Sequence, residues 1–404
     1  MGSTNFEVAP LHRAMPAILD RVFEFVGTRV TPRRSPARFF CDGWGDLALA
    51  RDVTRRARAY VKREDATKIE PHDARLFEAV RDVNIVWGPE TRAEKGYGVD
   101  VRRWDATFAS PMADALPEES KLVRFARLRR AKRLDDGDDG RDKKRRIAVL
   151  LPCTGDMYEW FRRGIARELL AEGVDCVIPT IAYYGERKPA KQWRHVLTTV
   201  ADAKIQLSVT PIEMVALTRA LKTEAEREGY AAEFCLAGVS LGGTMSSLTA
   251  CALASEREVP SSAVAVCCVA GAADCYPYVE GSIETRLSWD VLCEAAEEEG
   301  GELVTPLTKT RAKERLLEIM EDLDMTHLLV EDSVNAAVCL TADQDRFVGP
   351  RANSKVPAAL QKMLSNGKKV WREEFHGGHL SFLFGHKHAI APSIKRAFDM
   401  LDQS

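Results

Sequence analysis

The stretch Gly238-Val239-Ser240-Leu241-Gly242-Gly243 is where covalent chemistry is most plainly written. It follows the apolar run Phe234-Cys235-Leu236-Ala237 and leads into a helix-compatible segment, so a strand, a sharp turn and a helix are expected around Ser240. Such a turn strains the serine backbone and needs small residues at Gly238 and Gly242, where neighbouring segments must approach. The serine oxygen then stands above the end of a sheet, next to the N–H groups and positive dipole end of the following helix. A serine hydroxyl is a poor nucleophile until a base takes its proton. A histidine oriented by a carboxylate is therefore needed, in the chain order serine, acid, histidine.

Both partners follow. The apolar run Ala336-Ala337-Val338-Cys339-Leu340-Thr341 ends in Ala342-Asp343-Gln344-Asp345-Arg346-Phe347-Val348, which puts acids at the carboxyl end of a strand. Asp345 is the expected acid because it opens a D-x-x-V turn; Asp343 is the alternative. As purely structural groups they would cap the next helix or pair with Arg346 and Arg351. In Phe375-His376-Gly377-Gly378-His379-Leu380 the two glycines let the His379 imidazole reach back toward Ser240, so His379 is preferred to His376. His327 is expected to be a satisfied, buried histidine. The oxyanion hole should combine the N–H of Leu241, after the nucleophile, with that of Thr154 in the loop Leu151-Pro152-Cys153-Thr154-Gly155-Asp156. Cys153 has no elbow around it and is not read as a nucleophile.

These side chains need a scaffold, and from Ile147 onward the pattern alternates strand and helix, which calls for a parallel sheet covered on both faces. Strands are expected at Ile147 to Leu151, Asp175 to Ile181, Glu233 to Val239, Ala263 to Ala270, Asn335 to Thr341 and Lys369 to Phe375. Helices are expected at Tyr158 to Glu172, Ile212 to Glu228, Thr244 to Ser255, Ala352 to Asn366 and His388 to Leu401. Upstream, residues 47 to 85 read as helical, and Asp105 to Ser110 and Lys121 to Leu128 as strands. The mixed-charge run between Arg130 and Arg146 reads as a solvated loop. The organisation is thus an N-terminal, mainly helical extension (1–104), a first core segment (105–271), a helical cap insertion (272–333) and a second core segment (334–404), in an α/β-hydrolase fold.

Composition narrows the function classes. In 404 residues, 58 Lys and Arg offset 60 Asp and Glu, for a net charge of -2, so no nucleic-acid partner is implied. The ten cysteines are scattered without metal or redox spacing and read as reduced core residues of an intracellular protein. No phosphate loop or ligand cluster calls for a metal or other cofactor. No apolar run spans a bilayer, and no signal peptide follows the start. Pro10 to Gly27 is amphipathic, with Leu11, Met15, Ile18, Leu19, Val22, Phe23 and Val26 at helical spacing; docking on the protein's own body or on a membrane surface would both use that face.

Four further stretches resemble the α/β-hydrolase domain-containing protein 18 family: Phe39-Phe40-Cys41-Asp42-Gly43-Trp44-Gly45; Phe108-Ala109-Ser110-Pro111-Met112 with Leu116-Pro117-Glu118-Glu119-Ser120; Thr154-Gly155-Asp156 with Trp160, Arg162 and Arg163; and Tyr183-Tyr184-Gly185-Glu186-Arg187-Lys188-Pro189. The elbow, Asp345 and Gly378-His379 complete the likeness, which runs from about residue 35 to the end. It implies the α/β-hydrolase fold, a Ser240, Asp345, His379 triad, an acyl-ester or lipid substrate, and an organellar, including mitochondrial, compartment as one option. The chain departs at Cys153, where the family pattern has Gly.

The expected function is hydrolysis of an acyl ester through an acyl-enzyme. Acyl transfer to an alcohol by the same triad, and a non-catalytic binding module on the same fold, are the alternatives. Arg162, Arg163, Arg187 and Lys188, with Tyr184 among them, follow strand ends where ligands bind in open α/β sheets, so they are expected to hold an anionic phospholipid or similar ester. The competing account pairs Asp156 and Glu186 with these arginines as loop braces.

Overall fold

The computed structural model describes residues 35–62, 71–92, 97, 99–131, 143–254, 256, 258–294, 306–365 and 367–403. The amphipathic segment Pro10 to Gly27 lies outside them, as does most of the mixed-charge run after Arg130.

Two helices lead, α1 (Leu47–Lys62) and α2 (Pro71–Arg81). Short strands β1 (Val86–Trp87) and β2 (Thr91–Arg92) come next, and then β3 (Val101–Ala109) and β4 (Leu122–Arg130). The alternating region runs β5 (Lys144–Leu151), α3 (Trp160–Ala171), β6 (Asp175–Thr180), α4 (Val200–Arg227), β7 (Ala231–Val239), α5 (Leu241–Leu253) and β8 (Val264–Val269). The insertion contains α6 (Pro277–Glu280), a 3-10 turn Ser282–Arg286, α7 (Trp289–Glu294), α8 (Lys309–Met320) and α9 (Met325–Leu328). β9 (Ala336–Ala342), α10 (Gly349–Met363), β10 (Trp371–Phe375), α11 (His379–Gly385) and α12 (Ile390–Asp402) finish the chain.

The strands form one sheet in the order β1-β3-β4-β6-β5-β7-β8-β9-β10, with β2 also on β3. From β6 to β10 all neighbours are parallel; β4, β3, β1 and β2 add antiparallel pairs at one end. The central strands are apolar on both sides because helices cover both. On β5, Ile147, Val149 and Leu151 join a core with α1, α2, α4, α5 and α10, while Ala148 and Leu150 join a second core with α3 and α12. This is the doubly covered, mostly parallel sheet expected for an α/β-hydrolase fold.

Several bounds moved. β3 starts at Val101 rather than Asp105, because its first residues pair with Arg130 and Arg129 of β4. α4 starts at Val200 rather than Ile212 and carries Pro211 inside it. It is buried almost all round, so tertiary packing holds what local propensity would interrupt. The Phe39-Phe40-Cys41-Asp42 stretch acts as a stitch. Phe39 bonds through its backbone to Arg286 (2.9 Å) and Ser288 (2.9 Å) of the insertion, while Phe40 and Asp42 bond to Leu197 (2.9 Å) and Thr198 (2.8 Å). Among the described residues no helix is long and apolar enough to cross a membrane.

Candidate active site

Ser240, Asp345 and His379 stand at the carboxyl ends of β7, β9 and β10, three strands of one parallel set, so all three project from the same edge of the sheet. At Ser240 the backbone takes φ 56°, ψ −120°, a region costly for any residue with a side chain. The strain is held in place from both sides. The Ser240 N–H donates to Val269 of β8 (2.8 Å), and its carbonyl accepts from Thr244 (3.1 Å). The two flanking glycines are there for space: a Cβ on Gly238 would lie 2.4 Å from the Gly242 carbonyl carbon, and one on Gly242 would lie 2.5 Å from the Leu151 oxygen. Leu241 is the first residue of α5, so its N–H has no partner within the helix and points out at the N-terminal end.

The acid and the imidazole are joined. His379 Nδ1 lies 2.6 Å from Asp345 Oδ2, and both side chains are buried. The other carboxylate oxygen, Oδ1, accepts from the Phe347 N–H (2.9 Å) and the Val348 N–H (3.0 Å), so the turn that the D-x-x-V pattern builds fixes the carboxylate. Phe347 also lies flat against the His379 ring, with centroids 4.8 Å apart and planes 16° from parallel. Donation from Nδ1 to Asp345 puts the imidazole lone pair on Nε2, the nitrogen a general base needs.

Asp343, the alternative acid, has a different partner. It accepts from His376 Nδ1 (2.8 Å) and from the Gly377 N–H (2.8 Å), so the two loops are clasped together beside the buried pair. His327 corrects its expectation: it is exposed on α9, with Nδ1 3.3 Å from the Glu321 carbonyl, because it falls on the solvent side of a short helix whose Met325 and Leu328 face inward.

Thr154 is exposed at the end of β5, in a turn closed by the Asp156 N–H donating to Cys153 (3.1 Å) and the Met157 N–H donating to Gly155 (2.9 Å). Cys153 is buried, and burial pushes its thiol up to about 12, which leaves it protonated and unreactive at neutral pH. All ten cysteines are free thiols.

The expected substrate-binding set needs correction. Arg162 is buried, and its guanidinium donates to Asp156 (2.6 Å), Leu150 (3.2 Å) and Pro179, pinning the Thr154 loop to β5 and β6. Arg187 is fully buried and forks onto Glu213 of α4 through two bonds of 2.6 and 2.8 Å, with further bonds to Ser120 and Thr180 carbonyls. Lys188 donates to the carbonyls of Pro189 (3.0 Å) and Gln192 (2.8 Å), and Arg163 pairs with Glu159 (3.2 Å). Tyr184 is buried, with its phenol pushed up chiefly by that burial. The bracing account therefore holds for Asp156, whereas Glu186 pairs with Arg124 (3.1 Å) and Arg187 finds Glu213 instead. A planar guanidinium saturates such buried carboxylate and carbonyl acceptors, which is why these arginines turn inward. Removing one member of a buried pair strands the other, so Arg187→Met should lower stability by about 3 to 5 kcal/mol. Denaturant unfolding checks this; a loss under about 1 kcal/mol, the range of exposed pairs, would contradict the brace.

A residue that motif reasoning passed over is His195. Its ring lies against the Thr154 loop, 3.6 Å from where a Cβ on Gly155 would stand, and 5.9 Å from the Phe39 ring, centroid to centroid. The only sequence signal for it is its place shortly after the Tyr183 to Pro189 stretch.

The model of a family described as "Alpha/beta hydrolase domain containing 18" matches residues 37–305 and 301–400 of this chain. No curated protein sequence matches it. Among solved structures, an acetyl xylan esterase from Paenibacillus sp. R4 superposes with a TM-score of 0.51 at 11% identity, covering 80% of this chain and 92% of that one. A ligand-bound form of the rice cell wall degrading esterase LipA from Xanthomonas oryzae gives a TM-score of 0.49 at 12% identity, covering 78% of this chain and 97% of that one. At 11% identity the first likeness is one of fold. With the family match spanning nearly all of the described residues, the chain belongs to the α/β-hydrolase domain-containing protein 18 family.

Proposed function

We propose that this protein is a serine hydrolase that cleaves a carboxylic ester through an acyl-enzyme. The observation that carries the reading is the buried 2.6 Å contact between His379 and Asp345, two loops away from a serine held at φ 56° on the same sheet edge. In the proposed reaction His379 Nε2 takes the Ser240 proton as Oγ bonds to the ester carbonyl carbon, and Asp345 steadies the imidazolium. The N–H groups of Leu241 and Thr154 receive the oxyanion; a donor of this kind is worth about 2.7 to 4 kcal/mol in the transition state. His379 then gives its proton to the departing alcohol as the C–O bond breaks. Water, deprotonated by the same imidazole, releases the acid and restores Ser240.

The esterase name of the fold neighbour from Paenibacillus sp. R4 agrees with an ester substrate. The inward-turned Arg162 and Arg187 withdraw their support for a phospholipid headgroup, so the substrate class stands at an acyl ester, with a lipid ester as one member. The test is labelling with a fluorophosphonate probe followed by peptide mapping. The adduct is expected on Ser240 and is expected to vanish in Ser240→Ala; labelling that persists in that variant would overturn the proposal. Adding an acceptor alcohol during ester turnover separates hydrolysis from acyl transfer by the products formed.

A further inference from the structure

We infer that Gly281 and Ser282 are positioning residues for the reaction: they hold the insertion against the Asp345 turn, and a hydrogen-bonded relay from Ser282 aligns the acid with His379. The inference rests on the proposed active site and adds the element that steadies its acid. Its basis is one peptide unit, the one joining Arg346 to Phe347. The carbonyl of that unit accepts from the Ser282 N–H (2.7 Å) and from the Ser282 hydroxyl (3.1 Å). Its N–H donates to Asp345 Oδ1 (2.9 Å), and Asp345 Oδ2 lies 2.6 Å from His379 Nδ1. A peptide unit is planar, so a shift of the carbonyl carries the N–H with it. Ser282 therefore acts on the carboxylate through a single rigid plate, and the carboxylate acts on the imidazole. Hydrogen bonds in such a chain also polarise one another, so donation to the Arg346 carbonyl strengthens the N–H that Asp345 receives.

Gly281 sets how closely the insertion approaches. A Cβ there would stand 2.1 Å from the Phe347 oxygen and 3.1 Å from the Arg346 oxygen. Its backbone, at φ −93° and ψ −177°, is open to any residue, so the glycine serves the approach and not the turn. Phe347 carries the contact to the base as well, since its ring is the one lying flat against His379. Gly281, Ser282, Asp345 and Phe347 are all buried, which leaves the clamp little room to give. The insertion holds its side in place. From α8 the Lys313 ammonium donates to the Val279 carbonyl (2.8 Å) and pairs with Glu284 (2.8 Å), bracketing the two positioning residues, and the Thr285 hydroxyl donates to the Ser282 carbonyl (2.7 Å).

The test reads the bond between acid and imidazole directly, without substrate. In proton NMR the His379 Nδ1 proton, held against Asp345, is expected far downfield of the other signals and is assigned by its loss in His379→Gln. Gly281→Ala must push the Phe347 carbonyl away, so it should shift or abolish that signal and lower kcat for a p-nitrophenyl ester about a hundredfold, with KM little changed. Ser282→Ala keeps the N–H bond and gives up the hydroxyl; the signal should move, and kcat should fall by up to about tenfold. This milder variant decides the matter should Gly281→Ala fail to fold. Gly164→Ala on α3, where an added Cβ meets no neighbouring element, is the control and should alter neither reading. An unmoved signal in Ser282→Ala, and in Gly281→Ala where it folds, overturns the relay even if the unfolding midpoint drops. A signal that moves as expected in a protein that hydrolyses no ester overturns the proposed function and leaves the relay standing.

Discussion

Ser240→Ala is expected to lower kcat/KM for a p-nitrophenyl acyl ester by about 10^5- to 10^6-fold, as removal of a triad nucleophile does when the rest of the site stays in place. The size of the effect follows from what remains. The proposed oxyanion donors, the N–H groups of Leu241 and Thr154, are untouched, but no group is left to form the covalent bond. Alanine keeps the same backbone demand, since Ser240 is already a residue with a Cβ at φ 56°, so the fold around the elbow should survive. Steady-state assays on purified protein, with unfolding curves for both forms, check this. A fall of less than about a hundredfold would mean that Ser240 is not the nucleophile.

Asp345→Asn should follow closely, with kcat down by about 10^4-fold and KM little changed. The asparagine oxygen can still accept from Phe347 and Val348, so the turn stays closed. What changes is the contact with His379: an amide NH2 facing Nδ1 favours the tautomer with its proton on Nε2, where the base is needed. Asp343→Asn makes the comparison decisive. Its carboxylate serves His376 and Gly377, so its loss should loosen the loop clasp and cost no more than about tenfold. Equal losses from the two variants, or a larger loss from Asp343→Asn, would reverse the assignment of the acid.

Much of this site is legible in the sequence because its signals are local. A strand, an elbow and a helix occupy consecutive residues from Ala231 to Leu253, and the D-x-x-V turn and the Gly-Gly approach to His379 are each written within a few positions. The fate of the arginines is not local. Arg187 meets Glu213 across a loop and half of α4, and the approach of that helix depends on packing that no short motif encodes. The same reason hides the first half of α4. A proline is most at home at a helix start, so Pro211 reads as the beginning of a helix that in fact begins at Val200 and is held by burial on nearly every side. α11 has no sequence signal of its own, because it is short and starts at His379 itself, where the Gly378 N–H and carbonyl are both bonded to the Ser381 hydroxyl. His195 carries no motif at all, and only the folding of its loop back onto Gly155 gives it a place at the site.

The central claim is that the Ser240 oxygen carries the acyl group between two half-reactions. The most direct measurement is the mass of the protein quenched in acid within milliseconds of mixing with a p-nitrophenyl ester, followed by fragmentation of the modified peptide. The expected result is a mass gain equal to one acyl group, located on Ser240, appearing with the first burst of p-nitrophenol and disappearing as substrate is exhausted. Turnover of the ester with no acyl group on the protein at any time, or with the group on another residue, would contradict the account.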